Sequence, residues 1–213
     1  MKNIKLKQII LGSFLVSNCL ILFSIKQCLP QLKMPIIGVS LFPFWFLPLI
    51  LIIFLFPLKI SFCFLFLYCL LQVVLFDFSS YLGVYNLIPN NFNKNQVIFF
   101  MILTGSIIPI MSFFLISLFY HKNKNILFIF FIFFIISLFQ SLSKTFNGYY
   151  IYFNVIQDII KNKFKALTTF FYFSPFSFIF LLNLIPILIS DLLLFFIFLF
   201  SKKIIIQLSE FFQ

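Results

Sequence analysis

Apolar residues run through this chain in stretches close to a bilayer's width, and polar residues collect in short clusters between them. Six windows, 8–25, 36–56, 60–76, 97–119, 126–143 and 170–200, are dominated by Phe, Ile and Leu. A helix crosses the hydrocarbon core with about 20 such residues. The pattern predicts an all-α polytopic membrane protein with about six transmembrane helices, and residues 1–213 as a single transmembrane domain.

Proline punctuates these windows unevenly. The second holds Pro35, Pro43 and Pro48, and Pro57 with Lys59 parts it from the third. Proline removes a backbone donor and kinks a helix, so the second element is expected to be Pro-bent, or partly re-entrant and sheltered by protein. Pro175 and Pro186 divide the sixth window, whose true start is expected near Pro175. Beyond it, Ser201 to Gln213 reads as a short amphipathic helix, with Lys202 and Lys203 toward anionic headgroups and Ile204 to Ile206 toward lipid. No internal repeat is visible, so an inverted-repeat transporter is not supported.

Composition removes the soluble alternatives. With 63% hydrophobic residues, 9% charged and a mean hydropathy of +1.20, a soluble chain of 25.3 kDa would lack the polar surface to face water. Every basic residue is Lys, and Phe, Ile, Asn and Tyr abound, a bias produced by AT-rich genomes. Bacteria with reduced genomes and some mitochondria both fit it. The net charge of +11 is spread over termini and connections, which indicates membrane-surface and topology chemistry, not nucleic-acid binding. The first, third and fifth connections are long, the second and fourth tight. Lysines at both termini and in the turn His121 to Asn125 satisfy the positive-inside rule, which places the termini in the cytoplasm and the long loops outside.

Residues fit for chemistry are few. Cys19, Cys28, Cys63 and Cys69 lack metal-ligand spacing, so neither a metal site nor a structural disulfide is expected. His121 sits alone in a charged turn, and Thr104-Gly105-Ser106 has no intramembrane base to activate its hydroxyl. Tyr152 to Asp158 faintly resembles the first aspartate segment of signal peptidase II, but that family's second motif, a Gly-Asn pair leading to Asp-Arg, is absent. No enzyme activity, cofactor or phosphate-binding loop is expected. Asp191 is the acidic residue well inside a span, with Asn183 on a similar face, so it should meet protein or water. Gln72 and Gln140 fall at span ends, where an interfacial place is expected. The fifth connection opens with Lys144, Asn147, Gly148, Tyr149, Tyr150 and Tyr152, which suit either an anchoring aromatic belt or a small-molecule pocket. Ser13 and Ser17, with Gly12 beside them, offer a small-xxx-small face for close helix contact.

Taken together, the topology resembles the substrate-binding (S) components of energy-coupling-factor vitamin transporters, of the thiamine and folate type. Ser13 and Ser17 stand where that family has an Ala-xxx-Ala motif, and Gly148 and the pair Phe178 and Asn183 are similar to positions of the thiamine-type proteins. The chain departs from them in having Lys144 for a ligand-binding His, Tyr152 for a Trp, and Gly105 or Ser106 for the acidic residue of the fourth span. The segment Phe99 to Lys124 is loosely similar to the fourth span of the folate type. The resemblance implies a bacterial cell-membrane subunit that binds a small vitamin through Lys144, Asn147, Gly148, Tyr149, Tyr152 and Asn183. It also implies docking through Ser13 and Ser17 onto a transmembrane coupling protein that works with two ATPases. A lysine facing the pocket favours an anionic ligand, such as a folate or flavin phosphate. The alternative, equally compatible with the composition, is a mitochondrially encoded accessory subunit of a respiratory-chain or ATP-synthase complex in the inner membrane.

Overall fold

A computed structural model describes residues 2–28, 44–78, 82–83, 85, 93–120, 125–150 and 152–212, and no strand occurs among them. Five helices are long and apolar enough to cross a membrane: α1 (Lys2–Cys28), α3 (Leu58–Asp77), α4 (Lys94–Tyr120), α5 (Ile126–Tyr150) and α8 (Pro175–Phe212). Between α1 and α3 lies the short α2 (Leu47–Leu55), entered through a 3₁₀ turn at Phe44–Phe46. Between α5 and α8 lie α6 (Phe153–Lys163) and α7 (Thr168–Phe173), both too short to cross.

Among the described residues, the second apolar window, expected to be Pro-bent or partly re-entrant, holds this helix of 9 residues behind a 3₁₀ turn. Pro48 sits in its first turn, where a missing N–H costs nothing, and initiates the helix. Pro57 is the N-cap of α3. The carbonyls freed at this junction do not stay bare: Ser61 Oγ lies 3.1 Å from the Ile52 oxygen and 3.0 Å from that of Phe56, and donates there. Pro35, Pro43 and His121 lie outside the described residues.

α2 is the best-covered element, with Leu49, Ile52, Ile53 and Phe54 wholly buried. It runs antiparallel to α1. Trp45 at its entry packs on Phe23 and under Lys26, near the C-terminal end of α1, while Phe54 at its exit stacks on Phe198 at 4.1 Å and meets Tyr120. The main core gathers around it from α1, α3, α4, α5 and α8.

α5 and α8 form the most extensive helix pair and run antiparallel in a constant register. Phe133 meets Phe195, Ser137 meets Asp191 and Thr145 meets Asn183, each step along one helix matched by a step back along the other. Gly148 permits this approach at the far end, because a Cβ there would stand 2.9 Å from the Ile179 side chain. α8 begins at Pro175, as expected, but passes Pro186 unbroken and continues through Ser201. The C-terminal segment is therefore the last turns of α8, not a separate amphipathic helix.

Large apolar side chains elsewhere face outward: Phe200 is 88% exposed, Leu127 74% and Phe131 63%. Such a surface is stable only against lipid. Phenylalanine thus serves both sides of the bundle, stacked within the core and solvated by acyl chains outside.

Candidate functional site

Polar chemistry is concentrated along the buried sides of α5 that meet α4 and α8. Ser137, Gln140, Ser141, Ser143, Thr145 and Asn147 are all buried, and Lys144 lies among them. Ser137 and Thr145 meet α8, while Gln140, Ser143 and Asn147, three and four residues apart, meet α4. Lys144 to Tyr150 therefore belong to the last turns of a transmembrane helix, not to an outer loop as the sequence suggested. Gln140 and Gln72 are likewise interior and not interfacial.

The facing helix explains much of this polarity. In α4 a π turn spans Leu103–Ile107, closed by the Ile108 N–H on the Leu103 oxygen. The next bond of that ladder would come from position 109, which is proline and has no N–H. The stranded Thr104 oxygen accepts from Ser143 Oγ at 2.6 Å instead. A turn later the helix tightens, since Phe113 N–H bonds Ile110 and leaves the Pro109 oxygen. Ser112 Oγ at 2.7 Å and Gln140 Nε2 at 3.1 Å both donate to it. Asn147 Nδ2 donates to the Met101 oxygen at 3.2 Å. With no water in hydrocarbon, irregular backbone persists only where side chains satisfy it in this way.

A second π turn, Val73–Asp77, ends α3. It brings Gln72 and Asp77, five residues apart, to one face, where Gln72 Nε2 donates to Asp77 Oδ2 at 3.2 Å. The same oxygen accepts from Ser106 Oγ at 2.7 Å, so the π turns of α3 and α4 are joined by this hydrogen bond. π turns inside helices recur at functional sites.

Charge converges on the same region. Asp191 on α8 is buried and accepts from Ser137 Oγ at 2.7 Å. The Lys144 ammonium feels the carboxylates of both Asp191 and Asp77, and Asp77 also feels Lys26 at the end of α1. Lys26 lies over the Trp45 ring at 4.1 Å and the Phe23 ring at 4.8 Å. Four helices thus contribute one charged group each: Lys26, Asp77 and Lys144 toward the ends of α1, α3 and α5, and Asp191 near the middle of α8, opposite Ser137. Among the described residues Lys144 makes no direct hydrogen bond, although protein surrounds it and it keeps some accessible surface.

The remaining expected site residues separate into two groups. Asn183 shares the interior, donating to Thr145 Oγ1 at 3.3 Å and to the Ile179 oxygen at 3.1 Å. Gly148 is closed off by Ile179 and Ile156, while Tyr149 and Tyr152 pack on the apolar cluster that joins α6 and α7 to α8. Burial there raises the Tyr152 phenol above its usual range, which keeps it a neutral donor. Ser13 and Ser17 face outward on α1, beside the 62% exposed Phe14, and Ser17 Oγ bonds the Ser13 oxygen of its own helix. Gly12 points inward, directly against the Phe64 ring of α3.

Asp77 went unread in the sequence because it stands at the end of an apolar window, where a carboxylate is ordinarily solvated. The helical spacing of Ser137, Gln140, Ser141, Lys144 and Asn147 was the available signal for an interior polar face.

Among the described residues, five long apolar helices with a charged polar cluster between them define a helical, multi-pass membrane protein. No protein-family model, curated protein or solved structure matches the chain.

Proposed function

We propose that the chain is the membrane-embedded capture subunit of a vitamin uptake system, an S component of the energy-coupling-factor kind, working with a transmembrane coupling protein and two ATPases. The observation that carries this reading is that the bundle holds hydrogen-bonded charge on its inner faces: Asp191 on Ser137, Asp77 on Ser106 and Gln72, and Lys144 within the field of both carboxylates. Charged groups inside a bundle are costly and mark ligand or ion sites by default. Asp77 and Lys144 lie toward the long connections, which suits capture from outside.

Two further features support it. Ser106, standing where the family has an acidic residue in the fourth span, holds the carboxylate of Asp77, so α3 supplies the charge from next door. α2, though short, runs opposite to α1, from the level of Lys26 to that of Tyr120. We count it as a sixth, partly protein-sheltered crossing, which returns both termini to the cytoplasmic face of a bacterial membrane. The outward Ser13 and Ser17 face of α1 is the docking side for the coupling protein.

The alternative, an accessory subunit of a mitochondrial respiratory or ATP-synthase complex, would bind no vitamin. Thermal denaturation of the purified protein against a panel of B vitamins decides the matter. One vitamin should raise Tm in a saturable manner; a panel that shifts nothing overturns the reading.

A further inference from the structure

α5 ends at Tyr150 and α8 begins at Pro175, and both are long and apolar enough to cross a membrane. α6 and α7 fill the interval, which places them at the membrane border. Their inner side is fixed: Ile156 and Ile160 of α6 and Phe171 of α7 are buried with Phe178 and Ile179 in the first turns of α8. The outer side of α7 is apolar, with Phe173 87% exposed and Phe170 49% exposed. Aromatic side chains this bare, within a turn of the start of a span, meet lipid.

The outer side of α6 is polar. Asp158, Lys161 and Asn162 are exposed, as is Lys165 in the 3₁₀ turn that follows. An apolar side next to a lysine-bearing one is the pattern of an element lying in the plane of the interface. Gln157 Nε2 of α6 donates to the Tyr172 phenol oxygen of α7 at 3.0 Å, which leaves the phenol hydrogen to donate elsewhere. Lys161 Nζ stands 5.8 Å from the centre of the same ring. An ammonium beside a phenol O–H suits a phosphate oxygen. The field of Asp158 also reaches Lys161, but with Lys165 the exposed side keeps a net positive charge.

We propose that α6 and α7 form an in-plane docking surface for anionic phospholipid, with Phe170 and Phe173 among the acyl chains and Lys161, Lys165 and Tyr172 on headgroup phosphates. The occupant is lipid because the element is tied to the start of a span, where any other partner would have to displace the bilayer. The surface lies apart from the interior polar groups and does not depend on the capture reading. Lipid held there makes the stability of this end of the bundle depend on the charge of the leaflet.

Two measurements on the full-length protein in nanodiscs test this. In the first, Phe173→Trp is compared with the parent, whose single tryptophan, Trp45, is buried. The lipid is phosphatidylcholine brominated either near the headgroup or near the end of its chains. The added emission should be quenched more by the shallow bromines. Equal or stronger quenching by the deep ones puts α7 inside the hydrocarbon, and quenching by neither puts water or another protein against it; both results overturn the proposal. In the second, Tm is read in phosphatidylcholine with and without phosphatidylglycerol. Phosphatidylglycerol should raise Tm of the parent, and Lys161→Gln with Lys165→Gln should lose more of that rise than Lys202→Gln with Lys203→Gln. No rise in the parent, or a rise that Lys161→Gln with Lys165→Gln leaves whole, overturns the headgroup contact.

Discussion

The Ser143 hydroxyl donates to the carbonyl oxygen of Thr104 across the α4–α5 contact at 2.6 Å, the oxygen that Pro109 cannot serve. The bond substitutes a side chain of one helix for a missing backbone donor of the other. Its position on α5 is therefore tied to a proline on α4.

Ser143→Ala is expected to destabilise the protein by about 1 kcal/mol, within the range of interhelical hydrogen bonds in membranes. Pro109→Ala returns an N–H to the helix, so the double variant should lose less than Ser143→Ala alone. Unfolding in mixed micelles measures the cycle. Strictly additive effects would mean that serine and proline do not share the Thr104 oxygen.

Lys144→Met removes the ammonium whose field reaches both Asp77 and Asp191. Breaking a buried charge set by removing one partner costs about 3–5 kcal/mol. A large fall in Tm is expected, and adding Asp191→Asn, which keeps an acceptor for Ser137, should restore part of it. A double variant no more stable than Lys144→Met alone would show that the charges act separately.

Gly12 lies directly under the Phe64 ring, so an added methyl group forces the α1–α3 contact apart. Gly12→Ala is expected to cost about 1–3 kcal/mol, as overpacking does. Combining it with Phe64→Leu should recover a good part of the loss. If Gly12→Ala melts like the parent protein, the close contact is not a packing determinant.

Cys28 and Cys63 are exposed, whereas Cys19 and Cys69 are buried. Cys63 lies on the lipid side of α3, where a membrane-impermeant maleimide does not reach. Cys28 closes α1, so under the proposed orientation it should react in intact cells. Labelling that requires lysis would reverse the orientation and place the long connections inside.

The spans were readable because hydrocarbon demands length and apolarity and little else. Windows 60–76, 97–119 and 126–143 all fall within helices. What misled was chemistry at their ends. Ser141, Ser143, Lys144, Thr145 and Asn147 have the composition of a loop, yet they are helical, with Ser143 and Asn147 bonded to backbone oxygens of α4 and Thr145 to Asn183 of α8. Their composition pointed outward while their spacing pointed inward. The reason for that spacing lies on another helix, at Pro109 and the π turn, and π turns leave no mark in a uniform apolar run. The proline-rich second window was foreseen as irregular and Pro57 as its boundary with the third; Pro48, counted among the residues that bend it, instead stands in the first turn of α2. Of the expected ligand residues, Lys144, Asn147 and Asn183 come to the interior, while Gly148, Tyr149 and Tyr152 lie toward the apolar joint with α6 and α7.

The π turns at Val73–Asp77 and Leu103–Ile107 have a consequence for how the sequence can drift. Each closes its ladder five residues back where an α-helix closes four, so each span carries one residue more than a regular helix in the same place. Deleting a residue from a membrane helix ordinarily rotates everything beyond it by about 100° and turns the interior face to lipid. At these two turns a single-codon loss does the reverse and yields a regular helix with the register beyond it kept. Length variation inside spans α3 and α4 is thus expected at Val73–Asp77 and Leu103–Ile107, and homologues shortened there would keep the bundle while losing the meeting of Asp77 with Ser106.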